Sequence, residues 1–177
     1  MKTLPGIPQI LFNRFYSIFR TLPCIFCTLA MASSVSAQET DNAMLKYGLN
    51  FLKTPYVAHT LEVNEEEKLV VNFDEVDCTT FVEYVLALAL SPVKNGTIDN
   101  ADYARTLQSI RYRDGKIDGY TSRLHYIADW VNNGVRHGFM EDITAANSPD
   151  TVRLSLNFMS SHPKSYRQLA SSPENVS

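Results

Sequence analysis

The chain has 177 residues, of which 45% are apolar, and its 16 Lys and Arg against 19 Asp and Glu give a net charge of −3. A mildly acidic balance without a basic stripe excludes nucleic acid as the expected partner. No P-loop, zinc-ligand spacing, paired-cysteine motif or internal repeat occurs, so nucleotide-phosphate and structural-metal chemistry have no carrier in the sequence.

The first 37 residues predict an export signal. Residues 1–20 hold Lys2, Arg14 and Arg20 and no acid, and an apolar run follows from Leu22 to Ala32. Ser34-Val35-Ser36-Ala37 then offers small residues two apart, which suits cleavage before Gln38. The apolar run is shorter than the roughly 20 residues a membrane-spanning helix needs. An uncleaved anchor is the alternative; cleavage predicts an exported, periplasmic or envelope protein with no stable membrane span. It leaves 140 residues, about one domain, and removal of three cations takes the charge to −6. The expected division is signal 1–37, a domain over 38–170 and a frayed tail over 171–177.

In chain order, the spacing of Met44, Leu45, Leu49 and Leu52 predicts a helix from Asp41 to Leu52, with those residues on its buried face. Thr54-Pro55 stops it, because the residue before proline avoids helical angles. Leu61 to Val71 reads as irregular, with Glu65-Glu66-Glu67-Lys68 a solvated loop. Asp77 is a natural N-cap for a second helix. Phe81, Val85 and Leu88, flanked by Val82, Leu86 and Ala89, give that helix a wide apolar face, which marks burial on most sides. Pro92 and Gly96 end it, and Asn95-Gly96-Thr97 reads as a turn rather than a glycosylation acceptor. A third helix is expected over Asn100 to Ile110, buried through Tyr103, Leu107 and Ile110. Arg111 to Gly115 reads as a polar turn. Leu124 to Val131 reads as a short helix closed by Asn133-Gly134. Thr151 to Phe158 alternates apolar and polar residues, the best strand candidate in a helix-heavy inventory.

Chemistry concentrates on Cys78. Cys24 and Cys27 fall in the export signal, so one thiol remains in the exported domain, where it cannot form an internal disulfide. At the first position of a helix capped by Asp77, unsatisfied amides and the helix dipole favour a thiolate. The competing reading is a small buried hydrophobe, since free cysteine is among the most buried residue types. The adjacent Asp77 opposes a thiolate unless its charge is turned into the cap. A nucleophilic cysteine needs a base, most often histidine. Of His59, His125, His137 and His162, His125 lies in an aromatic and polar segment and His59 follows Pro55-Tyr56, so these two are the candidates to approach Cys78. A structural role is the default for each.

Linked motifs resemble a known family. Gly48 to Val57 followed by Val76-Asp77-Cys78-Thr79-Thr80-Phe81-Val82 resembles the opening of the NlpC-type cysteine peptidases, papain-like enzymes that cut peptidoglycan stems. Thr60-Leu61-Glu62, Asp77 to Glu83, Ile110 to Gly115 and Ser122-Arg123-Leu124-His125-Tyr126 resemble its N-acetylmuramoyl-L-alanine amidase branch. The resemblance implies an α+β, papain-like fold with Cys78 as nucleophile and Tyr56 as the aromatic residue beside it. Arg123 and His125 would belong to an insertion near the substrate groove. The implied reaction is hydrolysis of the amide joining N-acetylmuramic acid to L-alanine in peptidoglycan or muropeptides. It proceeds through an acyl-enzyme and a backbone-stabilised oxyanion and needs no metal or other cofactor.

The sequence departs from that pattern in one respect. The family's base histidine lies in a Gly-Leu-Asp-Val-x-His-Val-Gly-like strand, and no such segment occurs here. The expectation is therefore the N-terminal half of the fold, truncated before most of its core sheet and inactive alone. Two alternatives stay open. One is an active Cys78/His125 dyad; the other is a non-catalytic peptidoglycan-binding envelope module.

Overall fold

The computed structural model describes residues 42–148, 150, 152, 155–171 and 175. The expected export signal lies outside the described residues, as do 172–174 and 176–177 of the expected tail. Helix α1 covers residues 42–49, α2 is Cys78–Leu90 and α3 is Asn100–Arg111. Then come α4 (Ile127–Arg136), α5 (Ile143–Asn147), α6 (Phe158–Ser161) and α7 (Arg167–Ser171). The regular sheet among the described residues is one antiparallel hairpin, β1 (Val93–Lys94) with β2 (Thr97–Ile98). Mostly helical with a small two-stranded sheet, this is an α+β inventory.

The core forms where α2 crosses α3. Tyr84 and Ala87 of α2 and Leu107 and Ile110 of α3 are fully excluded from solvent. An aromatic cluster closes one end, with Phe73 5.3 Å from Tyr84 and 5.5 Å from Tyr103 between ring centroids. Phe51, just after α1, stands edge-on to Phe81 at 5.6 Å and so ties α1 to the first turns of α2. Asp99 caps α3, accepting from the amides of Ala101 and Asp102. Asn95 and Gly96, with φ of 53° and 77°, form the left-handed two-residue loop that a tight hairpin requires.

Several expectations change. Of the expected inward row of α1, Met44 packs against the core, but Leu45, Leu49 and Leu52 are 65%, 54% and 70% exposed, and Tyr47 is the buried residue. The expected polar turn at Arg111–Gly115 begins two residues late, because Arg111 and Tyr112 are buried and only Arg113–Gly115 turns. Glu67 is not solvated; its carboxylate accepts from the Tyr112 hydroxyl at 2.7 Å. Helix α4 starts later than expected and runs through Asn133-Gly134. The Asn133 side chain is buried and accepts from the Asp114 amide, and a Cβ at Gly134 would lie 2.6 Å from Met140. The close falls instead at Gly138, with φ of 72°. Bonds from the Gly138 amide to the Val135 carbonyl and from Phe139 to Gly134 satisfy the last carbonyls. Finally, the described part of the Thr151–Phe158 candidate is not strand: Val152 and 155–157 are irregular, and Phe158 opens α6.

Candidate functional site

Two segments build the site around Cys78. Tyr56 and Val76 pair as an isolated parallel bridge, with the Val57 amide donating to the Val76 carbonyl and the Val76 amide to the Pro55 carbonyl, both at 3.0 Å. The chain then enters α2 through Asp77. Its carboxylate accepts from the Thr80 amide at 2.8 Å and the Thr80 hydroxyl at 2.9 Å, while the Thr80 oxygen accepts from the Asp77 amide at 2.8 Å. This reciprocal box satisfies two orphan donors of the helix start. It also turns the Asp77 charge into the cap, which is the condition under which a carboxylate can neighbour a thiolate.

Cys78 is a free, exposed thiol at the first helical position. Exposure removes the reading of Cys78 as a buried packing residue. Its Sγ lies 4.0 Å from the Thr79 hydroxyl. Tyr56 stands beside it: the phenol is held above its ordinary range, first by charge on the Cys78 sulfur, then by desolvation and by Asp77.

The structure places the other candidate residues differently. His125 and His59 line one cavity of about 200 Å³ that also touches Asp77 and Thr79, on either side of the thiol in sequence. His125 is held there as a neutral ring. Burial, then the Arg123 charge, lower its pKa to about 4. Its Nε2 lies 3.0 Å from the Tyr120 carbonyl and its ring centroid 4.3 Å from that of Tyr120. A neutral ring bonded to a carbonyl carries its proton on that nitrogen, which leaves Nδ1 as the acceptor. His137 is engaged with Asp114 at 3.3 Å, and His162 with the Ser161 hydroxyl and the Phe158 ring. Among the described residues, no hydrogen bond joins Cys78 to a histidine.

Arg123 is buried and occupied. It pairs with Glu62, lies 3.7 Å from Glu67, and stacks over the Tyr120 ring at 5.0 Å. Its carboxylate partners, Glu62 and Glu67, have no counterpart among the sequence-derived candidates. A second buried pair supports α2 from beneath. The Arg111 Nε donates to Glu83 at 2.7 Å, and its Nη1 to the Val70 carbonyl at 2.6 Å. Burial pushes the Glu83 carboxyl up against the opposing pull of Arg111. The signal for this pair was a lone carboxylate inside the apolar face of α2, since a charge there requires a partner. Among the described residues, no cluster of three His, Cys, Asp or Glu is arranged to hold a metal ion, and no helix is long and apolar enough to cross a membrane.

An exposed thiol at a capped helix start, an aromatic neighbour and a polar cavity beside them are what the fold brings together. The chain belongs to the AmiA-like family, described as N-acetylmuramoyl-L-alanine amidase-like, whose sequence pattern matches residues 46–177. Among solved structures it is similar to an N-acetylmuramoyl-L-alanine amidase from Bacteroides uniformis. They share 66% identity and a TM-score of 0.72 over 75% of this chain and 56% of that one. A second crystal structure under that name gives 64% identity and a TM-score of 0.72 over 77% and 57%. A protein from Bacteroides fragilis described as a putative xylanase gives 62% identity and 0.70 over 74% and 57%. The chain thus spans a little over half the length of these solved relatives. No curated protein matches it.

Proposed function

We propose that this chain carries the nucleophile-bearing part of a cysteine amidase that hydrolyses the N-acetylmuramoyl-L-alanine amide of peptidoglycan, on an NlpC-type, papain-like framework. The observation that carries the reading is the exposed Cys78 at the capped start of α2, with Tyr56 against it. The helix amides and dipole favour the thiolate. Attack of the thiolate on the muramoyl carbonyl forms an acyl-enzyme as the amide C–N bond breaks, and the base that took the thiol proton returns it to the departing alanyl nitrogen. Water then attacks the thioester, giving the muramate carboxylate and the free thiolate while its proton passes to the base. Backbone amides of the first turn other than those of Asp77 and Thr80, which the capping box engages, would serve the oxyanion. Export to the cell envelope, where peptidoglycan lies, is part of the same reading.

The base is the missing element. His125 lines the cavity that adjoins Asp77 and Thr79, yet among the described residues no hydrogen bond joins it to Cys78, so we read the centre as completed by a group outside the described residues. The Cys78/His125 dyad is the second reading, favoured by that adjoining position and by the Nδ1 that the Tyr120 bond leaves as acceptor. The xylanase description of one relative fits less well. Glycoside hydrolysis uses two carboxylates flanking the scissile bond, whereas Asp77 and Glu83 are committed to a cap and a buried ion pair.

A chimera tests the proposal. Residues 46–177 replace the matching stretch of the Bacteroides uniformis amidase, and release of free stem peptides from muropeptides is followed by mass spectrometry. Release is expected, with Cys78→Ala lowering it by about a thousandfold or more. Undiminished release by Cys78→Ala would overturn the proposal. Release by the unfused chain that is lost in His125→Ala would favour the dyad, and retention of peptidoglycan without any cleavage, equally with Cys78→Ala, would favour a binding module.

A further inference from the structure

The cavity of about 200 Å³ beside the start of α2 is lined by two residues whose oxygens the fold leaves unanswered, Thr60 and Glu62. Thr60 is 7% exposed, and neither its hydroxyl oxygen nor the Glu62 Oε2 has a hydrogen-bond partner, although both atoms are buried. Buried polar atoms are nearly always paired, because an unpaired one has given up water without compensation. Among the described residues, Tyr103, Arg111, Trp130 and Gln168 also carry a buried unpaired atom. None of these four lines this cavity or the second one, of about 270 Å³, which shares Tyr120, Arg123 and His125 with it.

The segment that carries the two oxygens is pinned. The other Glu62 oxygen is held by Arg123. The Glu62 carbonyl accepts from Arg167 at 3.0 Å, and its amide donates to the His59 carbonyl at 3.1 Å. What remains on offer is a hydroxyl, which donates or accepts, and a carboxylate oxygen, which accepts.

Charge narrows the class of ligand. An anion would meet Glu62, Asp77 and Glu83 in the lining, and an ammonium would meet the Arg123 guanidinium. A neutral secondary amide meets neither opposition. Its N–H suits Glu62 Oε2, its C=O suits the Thr60 hydroxyl, and Leu61 and Leu124 of the lining suit its alkyl group. We propose that Thr60 and Glu62 are specificity-determining residues that together bind a secondary amide of the substrate other than the one cut at Cys78. The choice of substrate rests on the amidase reading above, under which that amide is the acetamido group of the muramoyl sugar or the first peptide bond of the stem.

The test uses the full chain as Cys78→Ala, so that nothing is cleaved, and titrates N-acetylmuramoyl-L-alanyl-D-glutamate by calorimetry. Adding Thr60→Val should weaken binding about tenfold. The same change should raise the thermal midpoint of the free chain, because it removes an unpaired hydroxyl and keeps the side-chain shape. Two altered ligands separate the sources: one has the acetamido carbonyl reduced to methylene, the other the alanyl carbonyl of the alanyl–glutamyl bond. Whichever ligand lacks the recognised carbonyl should bind alike with and without Thr60→Val, while the other keeps the tenfold difference. Absence of binding, binding of the intact ligand indifferent to Thr60→Val, or a midpoint lowered by it overturns the proposal. A tenfold effect of Thr60→Val, beside a chimera that cleaves undiminished as Cys78→Ala, would refute the nucleophile reading and leave this one intact.

Discussion

The helix start beside the cavity and the lining of the cavity are built on opposite principles. At the helix start Cys78 is exposed and neighbours a carboxylate that is turned into the cap. In the lining, Arg123 is buried and committed to two carboxylates and a ring, and the half-buried His125 keeps one nitrogen on a carbonyl. Polar residues near a site divide this way because burying a charge requires partners, and partners that satisfy it also withhold it from a ligand. The contrast teaches that adjacency to a nucleophile is a weak guide to chemistry; the freedom of the group is a better one.

Mutations can break this contrast in order of size. Removing the buried guanidinium by Arg123→Ala strands Glu67, whose side chain is 4% exposed, together with Glu62. We expect a loss of about 3–5 kcal/mol in urea unfolding, as for other broken buried pairs. A loss under 1 kcal/mol would mean that Arg123 is free to serve a ligand.

His125 gives the next largest effect, through pH. Its folded pKa, about 4, lies below the unfolded value of 6.5, so the unfolded chain binds the proton first. The stabilisation is complete above pH 6.5 and is lost as pH falls toward 4, at most about 3 kcal/mol. Unfolding free energies of the parent and of His125→Gln, compared from pH 7.5 to 4, should diverge over that window. Parallel curves would contradict a buried neutral ring.

On the Cys78 side the effects shrink. Thr80→Val removes the hydroxyl from the capping box and should cost about 1 kcal/mol. It also leaves the Asp77 carboxylate held by the backbone amide at position 80 alone, so alkylation of Cys78 should slow near neutral pH, and Thr80→Ser should restore it. Cys78→Ser should change unfolding free energy by less than about 0.5 kcal/mol, as expected of an exposed site; a larger loss would return the thiol to the packing role.

Local signals carried α2 and α3 from sequence to structure. Asp77 caps where side-chain chemistry predicts, α3 starts at Asn100 as expected, and Tyr103, Leu107 and Ile110 are buried together. The face of α1 was misread because its leucine row is real but turned outward, while Tyr47 supplies the inward contact. The end of α4 was misread because Gly134 is required for close packing on Met140, and the left-handed glycine lies four residues on. The ion pairs were the least legible part. Arg111 meets Glu83 across 28 residues and Arg123 meets Glu62 across 61, and no spacing rule reaches that far. Of the site, Cys78 and its cap were legible and Tyr56 was suggested by resemblance; the occupied state of Arg123 and His125 emerged only with their three-dimensional partners.

The central claim, that Cys78 is placed to react, is tested most directly by its alkylation rate. Iodoacetamide modification of the Cys78 peptide is followed by mass spectrometry between pH 5 and 10, in the folded chain and in the chain unfolded by urea. The account predicts that the folded thiol reacts faster than the unfolded one near neutrality. Coincident profiles, or slower reaction in the folded chain, would contradict it.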